Sequence, residues 1–244
     1  MRYAAILLLP ILALGACNTD AGASEAEAGG PKASRDYQVA AFDRVSLGGS
    51  HNVIVTVGGQ PSVRAEGDAE QLERLEITVE GNELQIGSKK NNWSIGLKGN
   101  RRPLTIHVTV PTLAGASIGG SGDIRVDKVE GQSFEASIGG SGDIDIAALK
   151  VAQASFSVAG SGGIKAAGSA GSSDVSIAGS GDVDLSGVET GIAKVSVVGS
   201  GDVRARATKT ADISIMGSGD VTMSGPARCT ISKMGSGSVN CPGA

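Results

Sequence analysis

The sequence contains few aromatic residues, little histidine and no excess of basic charge. It has one Trp, two Tyr, three Phe and two His among 244 residues, and its formal net charge is −4 at pH 7. A domain that binds nucleic acid carries a net basic face, so the acidic net charge does not indicate this class. The composition as a whole does not indicate an ordinary globular enzyme either. Glycine is abundant instead, with 38 residues, and its distribution organises the chain.

The first sixteen residues predict an exported protein. Met1 and Arg2 precede an almost unbroken apolar run from Tyr3 to Leu14, which ends in small residues. This is the pattern of a signal peptide. A membrane-spanning helix needs ~20 apolar residues, so we expect no transmembrane segment after cleavage. Loss of Arg2 with the signal changes the net charge from −4 to −5.

The residues at the end of this segment, Leu14-Gly15-Ala16-Cys17, resemble the bacterial lipobox. The resemblance implies that Cys17 receives a diacylglyceryl group and becomes the first residue after cleavage, and several acyl chains together give stable membrane anchoring. Asn18 follows, not the Asp that retains lipoproteins in the inner membrane of enteric bacteria. The resemblance therefore implies a lipid-anchored protein of the cell envelope, at the outer membrane.

Composition divides the remainder of the chain. The stretch after Cys17 is small and polar without apolar periodicity, so it cannot bury enough surface to offset the entropy of ordering. The predicted organisation is a signal peptide at 1–16, a lipid-anchored flexible tether at 17–36, an irregular β section at 37–111 and regular solenoid repeats at 112–244.

Seven glycine-rich turns recur in the second half of the chain at spacings of 18 to 20 residues. They begin at Gly120, Gly140, Gly160, Gly179, Gly199, Gly217 and Gly235, and five of the seven read Gly-Ser-Gly-Asp. A fixed period of this length marks a solenoid of stacked coils. Glycine at the corner permits a tight bend, and the Ser and Asp side chains can bond to neighbouring backbone amides.

Alternating apolar residues flank each turn. The positions two before and four after the first glycine are almost all Ile or Val, as in Ile118, Ile124, Ile138 and Ile144. Such alternation of β-branched residues predicts half-buried strands. Because two short strands cannot bury their apolar face alone, the coils must stack with equivalent residues ~4.8 Å apart. We predict an all-β fold, a parallel β-solenoid of about seven coils with an aliphatic interior.

The section before the repeats has a different texture. Strands are predicted around 53–57, 62–65, 76–79, 83–86 and 104–110, with a short helix at 69–75 whose N-cap is Asp68 and with Gln71 three residues on. We expect this section to cover one end of the solenoid.

Three features together resemble a known bacterial family, the auto-transporter adhesin head GIN domain proteins. They are the opening Phe42-x-x-Val45-x-Leu47 to Val57, the junction Val108-Thr109-Val110-Pro111-Thr112-Leu113, and the repeated Gly-Ser-Gly-Asp turns. The resemblance covers about residues 37 to 241. It implies a single-stranded, right-handed parallel β-helix similar in shape to pectin lyases, often lipid-anchored and adhesive, with no catalytic residues to carry over.

Two kinds of chemistry are weighed against this interpretation. The turn aspartates form a column that resembles calcium-binding repeats, but turn capping is favoured because Gly163 interrupts the column and Ser238 ends it; the column consists of Asp123, Asp143, Asp182, Asp202 and Asp220. An enzyme related to polysaccharide lyases or β-helical acyltransferases is a remote alternative. Both histidines, His51 and His107, lie outside the repeats, and no six-residue period is visible. No metal, cofactor or catalytic residue is predicted.

One non-repetitive segment carries five positive charges, no acid and the single tryptophan. Its candidate residues for contact with a partner or with anionic lipid are Lys89, Lys90, Trp93, Lys98, Arg101 and Arg102. The structural alternative is an exposed hairpin whose tryptophan packs onto the end of the solenoid.

The last turn departs from the pattern. Lys233 replaces the apolar residue two before Gly235, and Cys229 and Cys241 lie six residues on either side of that glycine in inward positions. Since Cys17 is consumed by lipid, an even pair remains in an oxidising compartment. We predict a disulfide between Cys229 and Cys241, worth ~3 kcal/mol for a loop of about a dozen residues.

These observations predict a non-enzymatic, envelope-associated lipoprotein that acts in adhesion or scaffolding through its solenoid. The alternative is a binding protein for an envelope glycan or one linked to envelope stress. The expected partners are the membrane, through the N-terminal lipid, and an envelope glycan or protein; no nucleic acid and no cofactor are expected.

Overall fold

The computed structural model describes residues 31–89 and 103–243. Cys17 and most of the basic segment, residues 90–102, lie outside the described residues. None of the described helices is long and apolar enough to cross a membrane.

The described residues form seventeen strands and one helix, all strands belonging to a single sheet. The elements are β1 (Lys32–Tyr37), β2 (Arg44–Leu47), β3 (Asn52–Val57), β4 (Ser62–Asp68), α1 (Ala69–Arg74), β5 (Leu75–Glu80), β6 (Glu83–Ser88), β7 (Thr105–Val110), β8 (Gly115–Ile118), β9 (Asp123–Val126), β10 (Val129–Ile138), β11 (Asp143–Gly160), β12 (Gly163–Gly179), β13 (Asp182–Gly199), β14 (Val203–Gly217), β15 (Val221–Ser224), β16 (Arg228–Gly235) and β17 (Val239–Asn240).

From β8 onward the chain winds into stacked parallel coils. Each residue pairs with its equivalent one repeat later, so that Ile138 lies beside Val158 and Val158 beside Ile177. All seven predicted corners occur, and between the first and the last of them the β-solenoid makes about six turns. The predicted all-β solenoid is therefore confirmed.

The interior of the coils consists of continuous rows of buried aliphatic side chains. Ile144, Ile164 and Val183 form one such row, each at most 2% exposed. Full burial of a side chain of this size contributes about 1.5–3 kcal/mol. Phe134 and Phe156, the two largest fully buried side chains of the described residues, each lie beside an alanine of a neighbouring coil, which keeps the volume of the narrow interior even.

The N-terminal strands stack out of sequence order. β2 pairs in parallel with β6 on one side and with β8 on the other, and β3 pairs likewise with β7 and β9. The coil made by β2 and β3 therefore lies between two later coils: the one made by β6 and β7, which is 39 to 53 residues further along the chain, and the first regular coil, made by β8 and β9. Nothing in the spacing of the repeats predicts this insertion.

Antiparallel strands and the helix close the N-terminal end of the stack. β4 lies antiparallel to β7, and β5 lies antiparallel to β6. Between β4 and β5, α1 places Leu72 into the core at 2% exposure. Asp68 caps this helix, its Oδ1 accepting from the backbone N–H of Glu70 at 2.9 Å, which confirms the predicted cap.

β1 lies inside the segment predicted as a tether, and at residues 32–36 the structure has a strand instead. β1 pairs antiparallel with β4 over its whole length, from Lys32 opposite Asp68 to Tyr37 opposite Val63. Its side chains are exposed except for partly buried Tyr37. Order here comes from backbone hydrogen bonds to an existing sheet edge, not from buried side chains, and therefore leaves no apolar periodicity in the sequence.

The C-terminal end closes differently. Cys229 and Cys241 are joined by a disulfide whose Cα atoms lie 6.6 Å apart. Ile231, in an inward position on β16, is 40% exposed because no described strand covers it. Beside it, the Nζ of Lys233 donates to the carbonyl of Gly237 at 2.8 Å. A charge at an inward position of an edge strand discourages pairing with another sheet.

Candidate functional site

The outer surface of the coils displays equivalent residues in long rows. On the strand before each corner, the outward residue is serine in eight successive coils, which we call the serine ladder: Ser46, Ser117, Ser137, Ser157, Ser176, Ser196, Ser214 and Ser232. Its members are half-buried or exposed. The ladder presents hydroxyl groups about every 4.8 Å along the axis.

The corners beside the serine ladder are held by backbone bonds between coils. The N–H of each corner serine donates to the first glycine of the preceding corner, as from Ser141 to Gly120 at 2.9 Å and from Ser161 to Gly140 at 2.9 Å. The N–H of Ser121 bonds in the same way to Gly49, so the N-terminal section contributes a further corner. The repeat pattern in the sequence did not reveal this corner, because His51 occupies the position where the later corners have glycine.

The aspartate column is built as a chain of turn caps. The Oδ1 of Asp123 accepts from the backbone N–H of Asp143 at 3.2 Å, and the Oδ1 of Asp202 accepts from that of Asp220 at 3.0 Å. Each carboxylate thus ties its own coil to the next one. This arrangement supports the turn-capping interpretation, and no group of three or more His, Cys, Asp or Glu in the described part of the chain could hold a metal ion.

The last aspartate of the column, Asp220, is held by two hydrogen bonds from a single residue. Asp220 accepts from both the backbone N–H and the hydroxyl of Ser238, each at 2.8 Å. The backbone bond and then the hydroxyl bond hold the pKa of this carboxyl below its usual value, because both favour the charged form. Ser238, which breaks the sequence pattern, therefore completes the last cap.

A groove runs along the solenoid axis on the face next to the serine ladder, with a volume of about 540 Å³. We call it the axial groove. One wall is the row Ser133, Gln153, Ser172 and Ile192, and the other is the row Glu135, Ser155, Asp174 and Lys194. The floor between the walls is lined by Ala114, Phe134, Ala154 and Ser173. The groove is concave because two exposed rows flank a buried row made largely of small residues.

Ion pairs lie at both ends of the second wall. The guanidinium of Arg44 bonds to Glu135 at 2.9 Å, and Lys194 lies 3.8 Å from Asp174. Gly115 occupies the coil between Arg44 and Glu135, and a Cβ there would lie 2.9 Å from the guanidinium. Because Gly115 has no side chain, the guanidinium of Arg44 can reach across this middle coil to Glu135.

Ser173 is an anomaly on the floor. It lies in a row with Ala154 and Ala193 and is 4% exposed, and its Oγ has no hydrogen-bond partner among the described residues. A buried hydroxyl without a partner costs about 1–3 kcal/mol. Such a group in a native structure calls for an explanation from function or from bound water.

The two histidines occupy different environments. His107 is exposed on β7, as the alternation around it predicts. His51 is buried, and its Nδ1 accepts from the N–H of Leu104 at 3.4 Å. Burial lowers the pKa of His51 from its ordinary value of 6.5, because desolvation disfavours the charged imidazolium.

Of the predicted partner-contact residues, only Lys89 is described. It is exposed, and its Nζ donates to the carbonyl of Glu73 at 2.7 Å at the end of α1. Lys90, Trp93, Lys98, Arg101 and Arg102 lie outside the described residues, as does Cys17. Their roles stay predictions.

The axial groove was not predicted from the sequence. Its walls come from two positions of the repeat that carry unrelated residues in each coil, so no motif marks them. The one available signal was Ser173, a polar residue in an inward position where the neighbouring repeats have alanine.

Comparison with known proteins gives a family and a fold. The sequence profile of the family described as "Putative auto-transporter adhesin, head GIN domain" matches residues 41–227. No curated protein matches the chain.

Several solved structures have the same fold. A "putative adhesin" from Bacteroides fragilis NCTC 9343 is 24% identical, with a TM-score of 0.79, over 86% of this chain and 96% of that chain. A "putative lipid binding protein" from Parabacteroides distasonis ATCC 8503 is 24% identical, with a TM-score of 0.69, over the same shares. A "putative adhesin" from Parabacteroides merdae ATCC 43184 is 17% identical, with a TM-score of 0.64, again over 86% and 96%.

Proposed function

Because this chain belongs to the auto-transporter adhesin head GIN domain family, we propose that it is a non-enzymatic, lipid-anchored envelope protein that acts in adhesion or scaffolding. The partner contacts the side of the β-solenoid. The N-terminal lipid on Cys17 holds the protein at the outer membrane, and residues between Cys17 and β1 separate the solenoid from the bilayer.

The observation that carries this proposal is that the outer surface of the solenoid consists of rows of equivalent side chains. The serine ladder and the corner serines offer the same hydroxyl groups again in eight successive coils. A surface that repeats in one direction suits many weak contacts with an extended or repetitive partner, and such contacts gain strength together by multivalency. Solenoids commonly use extended surfaces of this kind for binding.

The rigidity of the coils also supports a binding role. Backbone bonds, aspartate caps and aliphatic rows link each coil to the next. A surface that is already ordered loses little conformational entropy when a partner binds. In the axial groove, the described carboxylates of Glu135 and Asp174 are each paired with a cation. Such pairing suits a surface that binds a partner.

The proposal is tested by capture from bacterial envelope fractions on the immobilised protein. The first variant carries Ser157→Arg and Ser196→Arg, which place two bulky charges in the serine ladder on alternate coils. Its control carries Ala148→Arg and Ser169→Arg, which add the same charge at exposed positions away from the ladder. A further variant lacks residues 89–102.

We expect the ladder variant to lose most of the captured material and the control to retain it. Loss in the deletion variant alone assigns the contact to the basic segment instead. If the intact protein captures nothing above a blank surface, the adhesive function is wrong.

A further inference from the structure

The axial groove carries uncharged polar groups that can hold a ligand. Gln153 and Ser172 on one wall, with Ser155 on the other, place an amide and two hydroxyls on two adjacent coils. These groups both donate and accept hydrogen bonds. Since adjacent coils lie ~4.8 Å apart, the polar groups repeat at nearly the length of one sugar ring in an extended glycan.

The charges of the groove cancel. Arg44 is paired with Glu135, and Lys194 with Asp174, so the lining carries two positive and two negative groups. Both pairs are largely exposed, and exposed pairs contribute little to stability. They offer donors and acceptors to a ligand without selecting for a net charge. An uncharged ligand fits this balance.

One wall carries an exposed apolar side chain. Ile192 is 49% exposed in a row where the other groove residues are Ser133, Gln153 and Ser172. Ligand sites combine apolar contact with a few placed polar groups. An apolar group beside hydroxyls and an amide matches a sugar ring, which has C–H faces and hydroxyl edges.

The buried hydroxyl of Ser173 points to the same kind of ligand. It lines the groove without a partner among the described residues, in a row where alanine occupies both adjacent coils. Alanine would fit the fold and remove the cost of the unpaired hydroxyl. A ligand hydroxyl, or a water held by the ligand, would satisfy it.

We infer that the axial groove binds a neutral, hydroxyl-rich glycan along the solenoid axis. The inference rests on the proposed adhesive function, for which it names the class of partner. Hydrogen bonds from Gln153, Ser155 and Ser172 hold the sugar hydroxyls, and Ile192 packs on a ring face. Ser173 is satisfied only in the complex.

The test is calorimetric titration of the purified full-length protein with cellohexaose, maltohexaose and the hexamer of N-acetylglucosamine, with hexagalacturonate as the anionic comparison. The groove variant carries Gln153→Ala and Ser172→Ala. Its matched control carries Ser169→Ala and Thr222→Ala, at exposed positions outside both the axial groove and the serine ladder. We expect at least one neutral hexamer to bind, the groove variant to weaken its Kd about tenfold, and the control to change it less than about twofold.

Ser173→Ala separates binding from folding. We expect this variant to melt at the same or a higher temperature than the parent, because an unpaired buried hydroxyl is removed, and yet to bind the neutral hexamer about fivefold more weakly. A merely structural role for Ser173 would not move the Kd.

Three results overturn the inference: no neutral hexamer binds at millimolar concentration, binding is the same in the groove variant, or only hexagalacturonate binds. Envelope capture distinguishes this failure from failure of the adhesive function. If the groove variant still captures envelope material, adhesion stands and the groove is not its site.

Discussion

Two adjacent glycines of the second corner allow a direct test of how the coils pack. A Cβ on Gly140 would lie 2.0 Å from the carbonyl oxygen of Gly120, which is backbone and cannot rotate away. A Cβ on Gly139 would have only the Ile118 carbonyl oxygen nearby, at 3.7 Å. Gly140→Ala must therefore separate two coils, whereas Gly139→Ala fits as it stands.

The magnitude follows from the bonds at that corner. Moving these two coils apart strains the three bonds that join them at the corner: from Gly139 to Ile118 at 2.7 Å, from Ser141 to Gly120 at 2.9 Å, and from the N–H of Asp143 to the Oδ1 of Asp123 at 3.2 Å. At about 1 kcal/mol each, Gly140→Ala should lower the free energy of unfolding by about 3 kcal/mol. Gly139→Ala should leave it unchanged or raise it by about 0.5 kcal/mol through reduced freedom of the unfolded chain.

Urea unfolding followed by circular dichroism measures both variants against the parent. Equal midpoints for the two variants would refute the close packing of the corners. In the row of Gly139, alanine already occurs naturally in the next two coils, at Ala159 and Ala178, so that variant is a fair control for the loss of a glycine.

The remaining predictions concern the anchor, the last coil, the aspartate column and the buried histidine. Cys17→Ser should release the protein from membranes into the soluble fraction; retention in the membrane fraction contradicts lipid anchoring. In unreduced tryptic digests, mass spectrometry should find the peptides of Cys229 and Cys241 crosslinked, and alkylatable thiols at both positions would sink the prediction. Calcium added to chelated protein should leave the melting temperature unchanged, since the aspartates cap turns; a clear rise would restore the cation site. The lowered pKa of His51 means that the unfolded state binds the proton more readily, so stability is complete above pH 6.5 and falls as the pH decreases below it. His51→Gln should reduce this loss between about pH 7 and pH 5, and an unchanged pH profile would assign the loss to other groups.

The repeats could be predicted because every coil solves the same packing problem. Alternating Ile and Val, the corner glycines and the change at the last turn all follow from stacking parallel strands around a narrow interior. The capped helix after Asp68 could also be predicted, because its signal is local. Membership of the family could also be predicted, from the junction at residues 108–113 together with the turns.

The parts that escaped prediction depend on contacts that no local pattern encodes. β1 is ordered by the backbone of β4 and has almost no buried side chain. The coil of β2 and β3 lies between two later coils because of long-range pairing, and its corner was hidden by His51. The axial groove arises where two unrelated rows face each other across small residues such as Ala154 and Ser173, and a row becomes visible only when the coils are aligned in space.

The out-of-order stacking at the N-terminal end has a consequence for biogenesis. The coil of β2 and β3 has no partner until β6 and β7 have been made, so strands β2 to β7 must assemble together as one cooperative unit. Every later coil needs only its predecessor as a template. Because the chain is made from its N-terminus, it can then fold coil by coil as each repeat appears, without waiting for its C-terminus.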